Sequence, residues 1–281
     1  MLDLIRQTLK LLRDKPVLWL PMACASIVAY STIQARSVIG RVTFGMAMRE
    51  LARNPTAGLG SAEHAMSVPA AALIFVPSSI ALFLIAFLAY SAALFAIARL
   101  AESCSGGQSL GLQPAMWGLA RSARRLFGFA CKMGAFWIAL ALPFGLALFG
   151  IIYRAHIGGL SLTVIEWITS ILFNLVFAWL VTPSCLGLIL GRGHRALNRE
   201  TKTRARLVAM PAYALTVVIV HLVSMAINAY HFSFLSGHWL LQYFFPVAVA
   251  IVGDLPLTCT AVAFALIGAE PSESLAIPSP S

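Results

Sequence analysis

Charged side chains are scarce in this 281-residue chain: Asp, Glu, Lys and Arg make up 11% of it, against about 25% in soluble domains. Acids are the scarcer sign, with 10 Asp and Glu against 20 Lys and Arg. The chain is also 60% hydrophobic. Such a composition excludes an ordinary soluble globular protein and favours one that crosses a lipid bilayer several times.

Motifs that carry a reaction are missing as well. The sequence has no G-x-S-x-G, no H-E-x-x-H and no phosphate-binding loop ending in Lys-Ser or Lys-Thr. The five cysteines show no C-x-x-C spacing and lie mostly in apolar runs, so they predict neither a disulfide framework nor a metal site. We therefore expect no catalytic residues, no cofactor and no bound metal.

Apolar runs dominate the chain, and six of them are long enough to cross about 30 Å of hydrocarbon at about 1.5 Å per helical residue. The runs are continuous rather than alternating, which favours helices over barrel strands. The predicted fold is thus all-α, a polytopic transmembrane helix bundle. The six spans lie near residues 17–35, 71–98, 127–152, 163–190, 207–229 and 240–268.

Three segments outside the spans carry their own predictions. Residues 1–14 divide into an apolar and a polar half at about 100° per residue, which indicates an amphipathic helix lying in the membrane interface. The first outer segment, 36–68, begins with a stretch typical of a short surface helix that ends at the turn signal Asn54-Pro55. Residues 269–281 predict a disordered tail. Asp3 and Asp14 argue against a cleaved signal peptide and for an uncleaved first span.

The distribution of cations predicts the orientation. With six spans, the segments 1–16, 99–125, 191–206 and the tail share one side and carry fourteen Lys and Arg, against five on the other side. The positive-inside rule then places both termini in the cytoplasm. Aromatic residues at the predicted outer ends agree with this orientation, whereas four arginines in 36–68 oppose it.

Basic amphipathic stretches precede the first, third and fifth predicted spans. In the last of them, 191–206, five cations step by 3, 4, 3 and 4 residues and would form one helical stripe. Such helices suit the anionic headgroups of membrane lipids, with other membrane proteins as further candidate partners, and do not require nucleic acid. The simpler alternative is that these are ordinary positive loops that happen to be helical. The predicted headgroup contacts are Arg121, Arg124, Arg125, Arg192, Arg195, Arg199, Lys202 and Arg206.

Two ionisable residues fall deep inside predicted spans. His221 and Asp254 each lie about fourteen residues from the start of the fifth and sixth span, so antiparallel neighbours would bring both near the midplane. Asp254 precedes Leu255-Pro256, and proline interrupts a helix. A carboxyl at a broken helix beside an imidazole is typical of proton- or ion-coupled transporters. The alternative is a structural pair that holds two helices together.

Histidines in the predicted outer loops offer a weaker possibility. His156, His231 and His238 belong to separate hairpins, and no carboxylate accompanies them. They do not predict a zinc site. A lipid-modifying enzyme that uses these histidines is a third, less favoured interpretation.

The segments RDKPVLWLP at 13–21, GQSLGLQPAM at 107–116 and ARSARRL at 120–126 carry a resemblance. With this layout, the chain resembles six-span bacterial membrane proteins of uncharacterised function, related to the membrane domain of some glycerophosphodiester phosphodiesterases. The resemblance implies a multi-pass protein of the bacterial inner membrane. The phosphodiesterase domain has no counterpart here, so no catalytic residue carries over.

Together these patterns favour a non-catalytic inner-membrane protein that binds lipid or helps to assemble or organise the membrane. The alternative is a small proton- or ion-coupled secondary transporter that uses His221 and Asp254.

Overall fold

The computed structural model describes residues 2–53, 62–105, 112–155, 160–191, 197–229 and 239–269. Helices account for nearly all of these residues, and no strand occurs among them. The helices are α1 (Leu2–Asp14), α2 (Leu20–Arg53), α3 (Ala62–Ser105), α4 (Leu112–Ala155), α5 (Leu160–Ile189), α6 (Arg199–Ala229), α7 (Trp239–Gly253) and α8 (Leu255–Ala269), with a 3₁₀ turn at Pro16–Trp19 between α1 and α2.

Five segments of these helices are long and apolar enough to cross a membrane. The prediction of an all-helical, multi-pass membrane protein is therefore confirmed. The predicted fifth span, 207–229, lies in α6 but is not among the five, so the sixth crossing stays a prediction. The candidate spans are Pro16–Thr43, Ala71–Cys104, Ala120–Leu148, Trp167–Ile189 and Phe245–Gly268.

The first long helix extends further than the sequence predicted. Helix α2 continues without a break past residue 35 to Arg53, so the stretch expected to form a separate surface helix is its second half. Gly40 does not interrupt it. A Cβ atom there would lie 3.1 Å from the Phe75 ring, so the glycine permits close packing of α2 against α3. This packing compensates for the low helix propensity of glycine.

One hydrophobic cluster gathers the helix ends at a single end of the bundle, which we call the α1 end. The chain's first and last helices pack against each other here, since α1 contacts α8. Helices α3 and α5 finish here and α6 begins here. The cluster contains Leu12 of α1, Leu18 of the 3₁₀ turn, Leu100 of α3, Ile189 of α5, Ala205 of α6 and Ile267 of α8, all buried.

Helix α1 has three faces rather than the two that its pattern predicted. Leu12 is buried, and Leu4 and Leu11 pack against the cluster. Thr8, which interrupts the apolar half of the wheel, is buried between them. Ile5 and Leu9 are 44% and 55% exposed. They form a second, outward apolar face about 100° around the helix from the packed one.

A capped boundary separates α5 from α6. Gly191 adopts a positive φ of 63° just beyond α5, and Asn198 caps α6 by accepting a hydrogen bond from the Thr201 backbone N–H at 2.7 Å. Since α6 begins only at Arg199, the predicted continuous helical stripe from Arg192 to Arg206 is wrong. Asn198 prefers the cap because its side chain competes for backbone hydrogen bonds.

The positive φ of Gly191 makes a stability prediction. Replacing Gly191 with Ala forces a Cβ into the left-handed region and should lower the free energy of unfolding by about 1 kcal/mol. Gly128→Ala in α4 is the matched control: φ there is ordinary and no atom lies within 4 Å of the added Cβ. It should be neutral or slightly stabilising. Thermal unfolding in detergent micelles measures both, and equal effects would contradict the assignment.

Candidate functional site

The last apolar run is broken in the middle by Asp254. Helix α7 ends at Gly253 and α8 begins at Leu255, because Pro256 has no N–H to continue the helical pattern. The chain nevertheless satisfies the break locally: the Asp254 carbonyl accepts hydrogen bonds from the N–H groups of Leu257 and Thr258 at 3.0 and 3.2 Å. The break that the sequence predicted is therefore present.

The carboxyl of Asp254 is buried, with 6% of the residue exposed. Its Oδ2 accepts hydrogen bonds from the Ser26 hydroxyl at 2.6 Å and the Tyr90 hydroxyl at 2.7 Å. These donors lie on α2 and α3. The break in the α7–α8 segment is thus tied to both helices of the first hairpin. These hydrogen bonds offset the free energy of burying a carboxyl in a membrane protein.

The Ser26 hydroxyl has two acceptors for one proton. It lies 2.9 Å from the Met22 carbonyl and 2.6 Å from Asp254 Oδ2. When it donates to Met22, the proton between Ser26 and Asp254 must come from the carboxyl itself. The same heavy-atom positions therefore accommodate Asp254 with or without a proton.

The predicted pairing of Asp254 with His221 stays a prediction. His221 belongs to α6, but its side chain lies outside the described residues. The partners that the structure assigns to Asp254 are two hydroxyls that sequence reasoning missed. Among the described residues, no cluster of His, Cys, Asp and Glu could hold a metal ion. His156, His231 and His238 also lie outside the described residues.

The predicted headgroup residues are only partly placed. Arg121, Arg124 and Arg125 are exposed within the first turns of the candidate span of α4, and Arg199 is exposed at the start of α6. Arg192 and Arg195 lie outside the described residues. Arg206 points elsewhere: its guanidinium carbon lies 4.1 Å from the centroid of the Trp179 ring, and its Nε donates to the Trp179 carbonyl at 3.1 Å. This cation–π contact fixes Arg206 on α5.

A partly open cavity of about 560 Å³ lies in the bundle beside this hydrogen-bond cluster. Its volume lies within the range of small-molecule sites. Helices α2 to α6 line it, together with Asp254 and Leu257. Most of its walls are aromatic or aliphatic, and several of the rings contact one another. The aromatic lining residues are Phe83, Phe87, Tyr90, Phe129, Trp137, Phe177 and Tyr213.

Most polar groups in the cavity wall are satisfied within the protein. Thr32, Ser91 and Thr216 each donate a hydroxyl proton to a carbonyl of their own helix, and Asn174 donates its amide to Ser170. Ser79 differs. Its hydroxyl oxygen is buried and has no hydrogen-bond partner among the described residues.

A charged group also lines the wall. Arg36 forms no ion pair with any described residue and contacts the Phe75 ring at 5.6 Å. The cavity wall therefore combines an acid that accepts two hydrogen bonds with a cation that has no ion pair in the part of the chain that the structure describes.

No family model, characterised protein or solved structure matches this chain. The site consequently rests on its own geometry. Its residues had little sequence signal: Ser26 and Tyr90 are ordinary members of apolar runs, 228 and 164 residues from Asp254.

The Asp254 cluster makes a second stability prediction. Ser26→Ala or Tyr90→Phe removes one donor to Oδ2, and each should lower the free energy of unfolding by about 1–3 kcal/mol. The loss of unfolding free energy in the double variant should differ from the sum of the two single losses, because both donors share one acceptor. Urea unfolding in mixed micelles measures these values.

Ser78→Ala is the matched control. Its hydroxyl bonds only the Ile74 carbonyl of the same helix, so the change should stay within about 0.5 kcal/mol. Additive, control-sized effects of the Ser26 and Tyr90 changes would contradict the proposed tie.

Proposed function

We propose that this chain is a non-catalytic protein of the bacterial inner membrane that holds anionic lipid headgroups at its cytoplasmic face and so helps to organise or assemble the membrane. It has six spans with both termini in the cytoplasm, and α1 lies in the interface. The resemblance to six-span bacterial membrane proteins belongs to the same proposal.

The gathering of exposed cations at the α1 end is the observation that carries the proposal. Three helical segments contribute: α1, the beginning of α4 and the beginning of α6. Anionic lipids attract such groups by about 1 kcal/mol for each Lys or Arg near the surface. The exposed cations of these segments are Arg6, Lys10, Arg13, Arg121, Arg124, Arg125, Arg199 and Arg204, with Lys202 partly exposed beside them. Arg13 pairs with Asp14, and Arg204 pairs with Glu200.

The order of side chains around α1 supports an interfacial position. Going around the helix at about 100° per residue, the outward apolar face of Ile5 and Leu9 is followed by Arg13, Arg6 and Lys10. The acids Asp3 and Asp14 come next, and the packed face closes the circle. Cations therefore border the face that would enter lipid, which is where headgroup phosphates lie.

Charge removal at α6 tests this function in the full-length protein. Replacing Arg199 and Lys202 with Gln should reduce the enrichment of phosphatidylglycerol over phosphatidylcholine around the protein by roughly half or more, because two headgroup attractions are lost. Lipids retained after extraction in polymer-bounded nanodiscs, quantified by mass spectrometry, give the enrichment. High salt should weaken it in the wild type as well.

The matched control removes the same charge from the opposite end of α2, by Arg41→Gln with Arg53→Gln. This double change should leave most of the enrichment intact. Equal losses in both double variants would show that only net charge matters and would reject binding at the α1 end.

A second candidate function is proton- or ion-coupled transport. The observation that favours it is the broken helix at Asp254 beside the cavity, with a hydroxyl arrangement that accepts either protonation state of the carboxyl. Discontinuous helices at such sites bind substrates and coupling ions in secondary transporters.

Substitution of Asp254 tests the transport candidate. In proteoliposomes on a solid-supported membrane, a coupled transporter should give transient currents with some member of a panel of small organic ions. Asp254→Asn should abolish these currents, whereas Ser26→Ala should only reduce them. A folded Asp254→Asn protein that keeps full currents would eliminate proton coupling through this carboxyl.

A further inference from the structure

The first hairpin fixes where the cavity's polar groups lie along the membrane. Ser26 on α2 and Tyr90 on α3 meet at Asp254, and Gly40 on α2 packs against Phe75 on α3. These two contacts define one antiparallel register. In that register Arg36, four residues before Gly40, lies level with Ser79, four residues after Phe75. The Arg36 and Ser79 side chains of the cavity wall are therefore at the same height.

The separation of the two polar ends matches one leaflet of a bilayer. Arg36 lies ten residues beyond Ser26, about 15 Å along the helix, and the hydrocarbon core is about 30 Å thick. Arg36 is also twenty residues beyond Pro16, where the candidate span begins, so it reaches the interface opposite α1. The cavity thus extends from one interface to about the midplane.

The two ends of the cavity differ in whether their polar groups have partners within the described protein. At the midplane end, Asp254 already accepts two hydrogen bonds from protein hydroxyls. At the interface end, the Arg36 guanidinium has no ion pair and the Ser79 hydroxyl has no hydrogen-bond partner among the described residues. Both groups can donate hydrogen bonds to an anion, and charge-assisted bonds of this kind are the strong ones.

The wall between the two ends suits a hydrocarbon chain. Its middle is formed by side chains such as Phe83, Phe87, Trp137 and Phe177. We propose that the cavity binds an anionic amphiphile with its acidic head on Arg36 and Ser79 and one acyl chain running between the aromatic rings towards Tyr90. This site is separate from the basic surface at the α1 end and lies in the opposite leaflet.

Fluorescence quenching tests the site, because Trp137 lines the cavity. The full-length protein is placed in nanodiscs with a small fraction of phosphatidylglycerol brominated on one acyl chain, or with the same fraction of equally brominated phosphatidylcholine. The part of the quenching that disappears in Trp137→Phe belongs to this cavity. It should be stronger for phosphatidylglycerol. Brominated stearate, in a third arm, distinguishes a free fatty acid from a phospholipid as the source of the head and chain.

Substitutions at the Arg36 end of the cavity should change only its preference for anionic over zwitterionic lipid. Arg36→Gln should weaken the apparent affinity for the anionic probe about tenfold, the value of one lost charge-assisted contact, and Arg36→Lys should restore part of it. Ser79→Ala should give a smaller loss. Arg41→Gln, one charge less on the same helix but outside the cavity, should behave as the wild type.

A change in the wall checks the acyl chain. Ala86 lines the cavity, and Ala86→Phe should reduce Trp137 quenching by every brominated probe. Equal quenching by the anionic and zwitterionic lipids, or an unchanged preference in Arg36→Gln, would overturn the proposal. The Arg199 and Lys202 double variant should keep the Trp137 signal, so this site and the headgroup surface can fail independently.

Discussion

Two hydrogen bonds that Asp254 Oδ2 accepts, from Ser26 on α2 and Tyr90 on α3, tie the break between α7 and α8 to the first hairpin. A carboxyl buried inside a bilayer needs a polar partner that lipid cannot supply, and two hydroxyls of the first hairpin supply it. Apolar packing orders the rest of the bundle: α8 packs against α3 and α6, and α1 packs against α8 at the hydrophobic cluster.

Charge is arranged around this tie according to how much water each position can reach. Asp254, the buried acid among the described residues, contacts two hydroxyls, whereas cations occupy helix beginnings at the α1 end and the opposite end of α2. Arg206 shows the compromise between these settings: its guanidinium stays at the surface by stacking on Trp179 rather than extending freely. The exposed cations that carry no such contact are the ones left for lipid.

The helices of this fold can be predicted from local sequence patterns, whereas its long-range contacts cannot. Apolar runs give the helices, and Pro256 gives the break, because both depend on neighbours in the chain. The length of α2 was missed, since polar Gln34 and Arg36 look like a boundary although neither stops a helix. The predicted helical stripe of cations began too early, at Arg192, because α6 starts only after its cap residue Asn198. Ser26 and Tyr90 carry no local signal, since only packing brings them to Asp254.

The balance of satisfied and unsatisfied groups separates the two functional candidates. Asp254 already accepts hydrogen bonds from two protein hydroxyls, so its carboxyl has polar partners without any ligand. Among the described residues, the Arg36 guanidinium has no ion pair and the hydroxyls of Ser79 and Thr8 have no hydrogen-bond partner. Most of the exposed cations at the α1 end likewise have no ion pair there. Cationic donors form their strongest hydrogen bonds with an acceptor of negative charge. An anionic lipid supplies one in a bilayer, and we therefore propose lipid binding ahead of ion-coupled transport.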